Sequence, residues 1–498
     1  MTLNYRLLFH TVRHLRMTQV LHQVKYRLVK PVYAVSPAPG LRGNQFQVAP
    51  VSRYKCLDGD RFSFLNLDHS FAGWDFTGNG MLWAYNQNYF DWLNQEGMTA
   101  EEGCLWIDRF IREVLERSGR PVAALDPYPV ALRSTNWIKF FCRYPECATQ
   151  ARIDALYSQV LLLEKKLEYH LLANHLLEDA FALYVGAAYF QDDRLMERAY
   201  GLLLAQLAEQ ILPDGAHFEQ SPMYHCILLD RLLDCINIRP TEELRGYAAM
   251  MLGHLESIVW ADGSIPLLND AAYGIAPTAE QLFGYARLLG LQWAAVPMAD
   301  CGYRRMRAAA LEAIVDVGNV TATYQPGHTH ADSLNYELRV DGNPVVVDTG
   351  ISTYNKDARR QLERSSASHN VVVVDGKDSS EVWGGFRVGR RAKVEILRCA
   401  QDDRAGQNEI VASHNGFGKA CKRRFAMTET AFVVEDWYDG EAVSYVHLAE
   451  GIAPERVVAE GAKSVRVSPW KYSMEYNRFQ DGTVVEILFE KHLKYTIS

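Results

Sequence analysis

No run of about 18 or more apolar residues occurs in the 498-residue chain, so a membrane-spanning helix is excluded on length alone. The N-terminus also lacks an uninterrupted apolar signal core, because Arg6, His10, Arg13, His14 and Arg16 break it. Cytoplasmic residence is the direct expectation, with the periplasm as the alternative. The nine cysteines are scattered, odd in number and never spaced C-x-x-C, so neither a zinc ribbon nor a disulfide framework is indicated. Reduced structural thiols are expected instead. Acidic residues are missing before Asp58, while residues 1–57 carry Arg6, Arg13, Arg16, Lys25, Arg27, Lys30, Arg42, Arg53 and Lys55. On a chain of net charge −8 that segment either meets a polyanion or docks on the acidic body. No aromatic-basic interleaving accompanies it, so a nucleic-acid partner is not expected. Fixed-period repeats, low-complexity tracts and Gly/Ser linkers are absent too.

What remains is ordinary globular composition, 48% hydrophobic and 22% charged, over a length that calls for two large units. From about Tyr85 to Leu289 the apolar spacing is helical. It predicts helices over 151–172, 174–189, 195–211, 223–238 and 242–259, separated by short turns such as Pro213-Asp214-Gly215. Periodicity alone leaves a bundle and an α/α toroid both open. After about Ala310 the pattern becomes β-branched with period two, at 313–317, 336–340, 345–347, 371–374, 392–397 and 432–434. Helices followed by strands make an α+β chain.

Three constellations carry chemistry. In Asn174-His175-Leu176-Leu177-Glu178-Asp179, a helix places a carboxylate beside an imidazole; the same residues also fit a helix start with Asn174 as N-cap. In Glu219-Gln220-Ser221-Pro222-Met223-Tyr224-His225, Ser221 and Pro222 read as N-cap and first helical residue. Tyr224 and His225 then fall in the first turn, where unpaired N–H groups favour a lowered tyrosine pKa. A packed aromatic is the plainer reading. The third is Gly327-His328-Thr329-His330-Ala331-Asp332 with Asp348 and Ser368-His369-Asn370. His330, Asp348 and His369 sit on or beside successive strands and suit Zn²⁺, leaving His328 to face something else.

Together, and with Asn136-Trp137-Ile138-Lys139-Phe140, these motifs resemble the heparinase II/III-like polysaccharide lyases, a family that includes alginate lyases. The resemblance spans about residues 80 to 400. It implies an N-terminal α/α toroid, an incomplete barrel of helical hairpins, and a C-terminal antiparallel β-sandwich domain. The expected division is a basic N-terminal segment at 1–80, a toroid at 81–308 and a β-domain at 309–498. It further implies β-elimination on a uronic-acid-containing polysaccharide or oligosaccharide. Carried over by position, Asn174 binds the substrate carboxylate, Tyr224 is the principal proton-transfer group, His175 is its partner or an alternative base, and His328 lines the cleft from the β-domain. Glu178, Glu219, His225 and Asn136 are the candidate substrate-binding residues, Glu178 also supporting His175. His330, Asp348 and His369 match the family's zinc site, of structural character.

Alternative readings are a uronate C5-epimerase, which needs the same carboxylate neutralisation and proton abstraction, and an inverting glycoside hydrolase in surface-polysaccharide metabolism. The hydrolase requires two carboxyl groups across the cleft, for which Asp214, Glu219 and Asp270 are available. A non-catalytic glycan-binding protein is the third.

Overall fold

A computed structural model of the protein describes residues 5–39, 45–117, 123–402 and 407–498, so Arg42 of the basic set lies outside the described residues. Two short helices, α1 (Tyr5–Val12) and α2 (Met17–Leu28), come first. A small antiparallel meander follows, made of β1 (Leu57–Asp58), β2 (Arg61–Phe64) and β3 (Leu67–Ser70). The alternation of β2 turns Phe62 and Phe64 inward, where Phe62 meets Trp92 and Trp106 and Phe64 meets Trp83 at ring distances of 5.3–5.4 Å.

The helical lobe comprises α3 (Met81–Tyr89), α4 (Ala100–Phe110), α5 (Pro127–Arg143), α6 (Gln150–Lys166), α7 (Ala173–Phe190), α8 (Asp193–Gln210), α9 (Pro222–Ile238), α10 (Glu242–Ile258) and α11 (Ala279–Leu288). The odd-numbered helices α3, α5, α7, α9 and α11 touch in that order, and even-numbered ones pack against them. Composition explains which is inside. Every residue of α7 except His175 is buried, whereas α8 and α10 bury one stripe and keep a polar face for solvent. This is the incomplete α/α toroid. Side-chain caps from Thr99, Asp192, Ser221, Thr241 and Thr278 start the helices that follow them. One expected boundary moves. The helix predicted to reach residue 172 ends at Lys166, and Leu172 and Ala173 take left-handed φ values of 62° and 52°. Asn174 is therefore the second residue of α7 and not its N-cap, which is Leu172.

The sheet opens at β4 (Tyr303–Ala308), before the changeover expected near residue 310; Arg304, Arg305 and Arg307 mask its alternation. It continues through β5 (Leu311–Asp316), β6 (Tyr336–Val340) and β7 (Asn343–Val346). A short helix, α12 (Ala358–Glu363), and the two-residue strands β8 (Val372–Val373), β9 (Val382–Trp383) and β10 (Arg387–Val388) come next. Long antiparallel strands finish the lobe: β11 (Val394–Asp402), β12 (Gln407–His414), β13 (Cys421–Met427), β14 (Phe432–Leu448), β15 (Val457–Glu475) and β16 (Arg478–Ile497). The strand order is β11-β12-β13-β14-β7-β6-β5-β4, with β16 pairing both β14 and β15. Met306, Ala313 and Leu338 from one end share a core with Phe425, Val434 and Ile487 from the other, so the sheet curls over itself. Among the described residues no helix is long and apolar enough to cross a membrane. All nine cysteines are unpaired.

One buried ion pair ties the sheet to the loops that carry the histidines. Arg423 donates to Asp436 from Nε at 2.6 Å and from Nη2 at 2.8 Å, and its Nη1 donates to the Leu334 and Asn370 carbonyls. Removing one partner leaves a bare buried charge. Arg423→Ala is therefore expected to cost about 3–5 kcal/mol in urea unfolding; a loss below about 1 kcal/mol would show that the pair does not organise this lobe.

Candidate active site

A cavity of about 960 Å³ lies between the inner helices and the β-lobe. Asn174, His175, Tyr224 and His328 all line it, and so does Asn136. The left-handed turn at Leu172–Ala173 aims the start of α7 at this space. The Asn174 side chain donates from Nδ2 to both Glu219 oxygens at 2.9 Å, and its backbone N–H meets Glu219 Oε1 at 2.9 Å. Glu219 is thus a buried anion that holds Asn174 from behind, and it does not line the cavity. Its expected contact with substrate is corrected to a positioning role.

His175 is oriented by a residue outside its own helix. Its Nδ1 lies 3.0 Å from Glu168 Oε2, because the tight turn after α6 folds Glu168 back across the start of α7. Burial alone would lower the His175 pKa, but the Glu168 carboxylate outweighs it and raises the pKa above the ordinary 6.5. Glu178, expected to support His175, points to the buried side, with Arg231 Nε at 3.7 Å, and is not part of the cavity wall. Burial lifts its carboxyl to about 7. Its expected contact with substrate is corrected; toward His175 it makes no hydrogen bond, a role taken by Glu168, but its charge adds to the raising of the His175 pKa.

On α9 the Ser221 cap works as the sequence predicts. Its Oγ accepts from the Tyr224 N–H at 3.2 Å while its hydroxyl donates to the Asp270 carbonyl at 2.6 Å. Tyr224 faces the cavity. His225, about 100° further round the helix, turns inward to the Met251 carbonyl at 3.0 Å and is no substrate ligand. The expected lowering of the Tyr224 pKa is also overturned: burial raises it, with Asp270 and Glu219 adding to the effect. A phenol buried beside two carboxylates keeps its proton, whatever the helix end offers. Tyr354 adds a hydroxyl that donates to Tyr224 Oη at 3.4 Å.

Asn136 lines the cavity but is held on three sides. Its Nδ2 donates to the Tyr89 carbonyl at 2.9 Å and to Asp91, and its Oδ1 accepts from Asn94 at 3.1 Å. The wall also carries the cations Arg53, Lys139, Arg231 and Lys356 and the carboxylates Asp91 and Asp230, Arg231 pairing with Asp230 at 2.7 Å.

His328 stacks at a tilt on Tyr224 with ring centroids 4.0 Å apart. Its Nδ1 is 2.7 Å from Asp270 Oδ2, and its Nε2 is 3.4 Å from Asn174 Nδ2. His330 meets the other Asp270 oxygen through Nε2 at 2.8 Å. Arg360 grips the same carboxylate with both Nη atoms. Burial would raise the Asp270 pKa, yet Arg360 and the two histidines hold it well below the usual carboxylate range.

His330, Asp348 and His369 converge as the sequence predicts, each offering a ligand atom within 4.8 Å of the others. With His330 Nε2 and His369 Nδ1 engaged by carboxylates, His330 Nδ1 and His369 Nε2 are buried without a hydrogen-bond partner. Two such imidazoles and a carboxylate fit the donor chemistry of Zn²⁺. A second cluster, Asp214, His254 and Cys301, is also close-set. There Asp214 Oδ2 already accepts the Ala299 and Cys301 N–H groups at 2.9 Å, which makes it a loop clamp. None of Asp214, Glu219 and Asp270 lines the cavity, so the carboxylate pair proposed for a hydrolase is not assembled from them.

Two stretches of the chain match family descriptions: residues 153–271 match "Heparinase II/III N-terminus", and residues 291–491 match "Heparinase II/III-like, C-terminal". The chain belongs to the heparinase II/III-like family of polysaccharide lyases. Its fold is similar to that of a heparinase III, with TM-score 0.64 and 13% identity over 85% of this chain and 79% of that one. The heparan sulfate lyase HepC from Pedobacter heparinus aligns with TM-score 0.55 and 14% identity over 88% and 81% of the two chains. Chondroitin AC lyase from Streptomyces coelicolor A3 aligns with TM-score 0.50 and 11% identity over 84% and 74%. At such identities the likeness establishes the fold. No curated protein matches the chain in sequence.

Within this heparinase II/III-like site, sequence reasoning missed Glu168, Tyr354 and Arg360, and it met Asp270 only as a hydrolase acid. None lies in a motif, and only the folded chain brings them to the histidines. Asp270→Asn is expected to lower stability by about 3–5 kcal/mol near neutral pH by leaving Arg360 bare. Because the folded-state pKa is depressed, the wild-type stabilisation is fully present above the ordinary value of 3.8, begins to shrink as pH falls below it, and is gone only below the much lower folded value. Urea unfolding from pH 6 down to about pH 3 should therefore show the gap between wild type and variant constant above about pH 5 and narrower by about 1 kcal/mol at pH 3; a gap that does not narrow would refute the assignment.

Proposed function

We propose that the protein cleaves a uronic-acid-containing polysaccharide or oligosaccharide by β-elimination. The observation that carries this reading is one cavity wall on which a neutral amide, an imidazole and a high-pKa phenol meet, each positioned by a buried carboxylate or hydroxyl. A proton α to a carboxylate is barely acidic, so the sugar carboxylate must be neutralised as charge develops. Asn174 supplies that donor in this reading: its Nδ2, held between Glu219 and His328, gives an N–H to the substrate carboxylate when substrate enters. His175, neutral above its raised pKa, takes the C5 proton with its cavity-side nitrogen. The C5–H pair forms the C4–C5 double bond, the C4–O4 bond breaks, and Tyr224, still a phenol, protonates O4. His328 packs on Tyr224 and fixes its ring. The wall cations suit an acidic chain.

His330, Asp348 and His369 would hold a structural Zn²⁺ in this reading. Zinc bound there supplies a cross-link without redox chemistry, tying the loop of His328 to the sheet. The fit of the buried donor set supports it.

A panel of uronate polymers and oligomers should produce a rise in the ultraviolet absorbance of the unsaturated uronate, and silence across the panel would sink the proposal. Tyr224→Phe should cost at least ~10²-fold in kcat/KM; near-normal turnover would remove the tyrosine from proton transfer. Glu168→Gln withdraws the carboxylate that raises the His175 pKa, so the acid limb of the rate profile should move to lower pH. An unmoved limb would assign the base elsewhere. Elemental analysis should find about one zinc per chain, and His369→Ala should lose both zinc and thermal stability. Metal-free wild-type protein of equal stability would contradict the site.

A further inference from the structure

Helices α1 and α2, which open the acid-free N-terminal segment, have no part in the site just described, and α2 is packed the reverse of an ordinary surface helix. A surface helix ordinarily buries its apolar stripe and shows its polar one. In α2 the reverse holds. Its polar and aromatic-polar residues face the body: Gln19 donates to the Leu171 and Tyr324 carbonyls, Gln23 to the His170 carbonyl, and Tyr26 stacks on His170 with centroids 4.2 Å apart. Arg16, at its N-cap, lies 3.8 Å over the Tyr324 ring and pairs with Glu209.

The opposite side is apolar and open. Met17, Leu21, Val24 and Leu28 are 71%, 61%, 54% and 78% exposed, and Val20 is 40% exposed. At about 100° per residue these five fall in one arc about 100° wide, with Lys25 and Arg27 about 80° to either side of its centre. Helix α1 also leaves apolar residues open. Thr11 accepts from the Trp383 indole N–H at 3.1 Å and Leu7 seats against Gly389, while Tyr5 and Phe9 stand 77% and 65% exposed. An apolar stripe flanked by basic residues whose stems can lie along it is the pattern of a helix resting in a lipid headgroup layer. A protein partner would also cover an apolar stripe, but nothing would then require the absence of every acidic residue before Asp58.

We propose that α1 and α2 dock this protein on the surface of an anionic lipid bilayer, with the apolar stripe entering the acyl boundary and Arg13, Lys25, Arg27 and Lys30 contacting the headgroups. The docking is independent of the lyase chemistry, because none of these residues lines the cavity.

The test is flotation of the full-length protein with vesicles of phosphatidylcholine alone or of phosphatidylcholine mixed equally with phosphatidylglycerol. Binding to the anionic vesicles should exceed binding to the neutral ones by at least ~10-fold and fall with added salt. Leu21→Asp with Leu28→Asp should abolish it, and Lys25→Glu with Arg27→Glu should weaken it at least ~10-fold. Both pairs are exposed, so an unchanged melting temperature verifies the fold. Equal binding to both vesicles, or binding indifferent to both pairs, overturns the proposal. So does a wild-type dimer that Leu21→Asp with Leu28→Asp converts to monomer without any vesicle binding, which would give the face to a second copy. Binding of dextran sulfate in place of vesicles, lost only with the charge reversals, would give it to a soluble polyanion and equally overturn the proposal.

Discussion

The carboxylate of Asp270 is the point on which the two lobes depend. It sits between α10 and α11 in the helical lobe, and every strong partner it has comes from the β-lobe: Arg360 on α12, and His328 and His330 on the preceding loop. An isolated buried anion would be prohibitive, so the carboxylate is stable only while the lobes are apposed. The same contact sets the tautomers and tilts of two histidines with different tasks, one beside Tyr224 and one beside Asp348. Geometry in the cleft and geometry at the metal-type cluster are thus coupled through a single side chain.

The cleft repeats that logic on a smaller scale. Glu219 stands behind Asn174, Glu168 behind His175, and Ser221 beneath Tyr224. Asn174 and His175 are each fixed by a buried carboxylate, whereas Ser221 fixes the backbone at Tyr224 and the Tyr354 hydroxyl meets its phenol. For elimination next to a carboxylate this arrangement is apt. The carboxylates that orient the machinery, Glu219, Glu168 and Asp270, do not line the cavity, whose wall carries Arg53, Lys139, Arg231 and Lys356 together with Asp91 and Asp230. The Tyr224 phenol fits the role of acid because burial beside those anions keeps it protonated.

Much of this was legible in the sequence, and the exceptions have physical causes. Helical periodicity located α6 to α10, including the inner helices α7 and α9, while α3, α5 and α11 had no helix of their own in that reading, and the Ser221-Pro222 start was read correctly from its local hydrogen bond. The convergence of His330, Asp348 and His369 followed from their places in the loops beside strands β6, β7 and β8. What failed was tertiary. The end of α6 was placed late because the left-handed Leu172–Ala173 turn involves no glycine or proline, and with it went the pairing of Glu168 with His175. Glu178 and His225 were assigned to the cleft by proximity in sequence, yet on a helix the next residue faces elsewhere. Strand β4 was hidden by its arginines. Asp270 carries no local pattern, and its role exists only once Arg360, 90 residues further on, has folded against it.

The account treats the bond-breaking step as elimination, with no water entering the product. Cleavage of a uronate oligomer in oxygen-18 water, read by mass spectrometry, examines that step directly. The account predicts product pairs that sum to the mass of the substrate, with one unsaturated member and no isotope at the new ends. Products that sum to substrate plus water, with one labelled oxygen per cleaved bond, would contradict it.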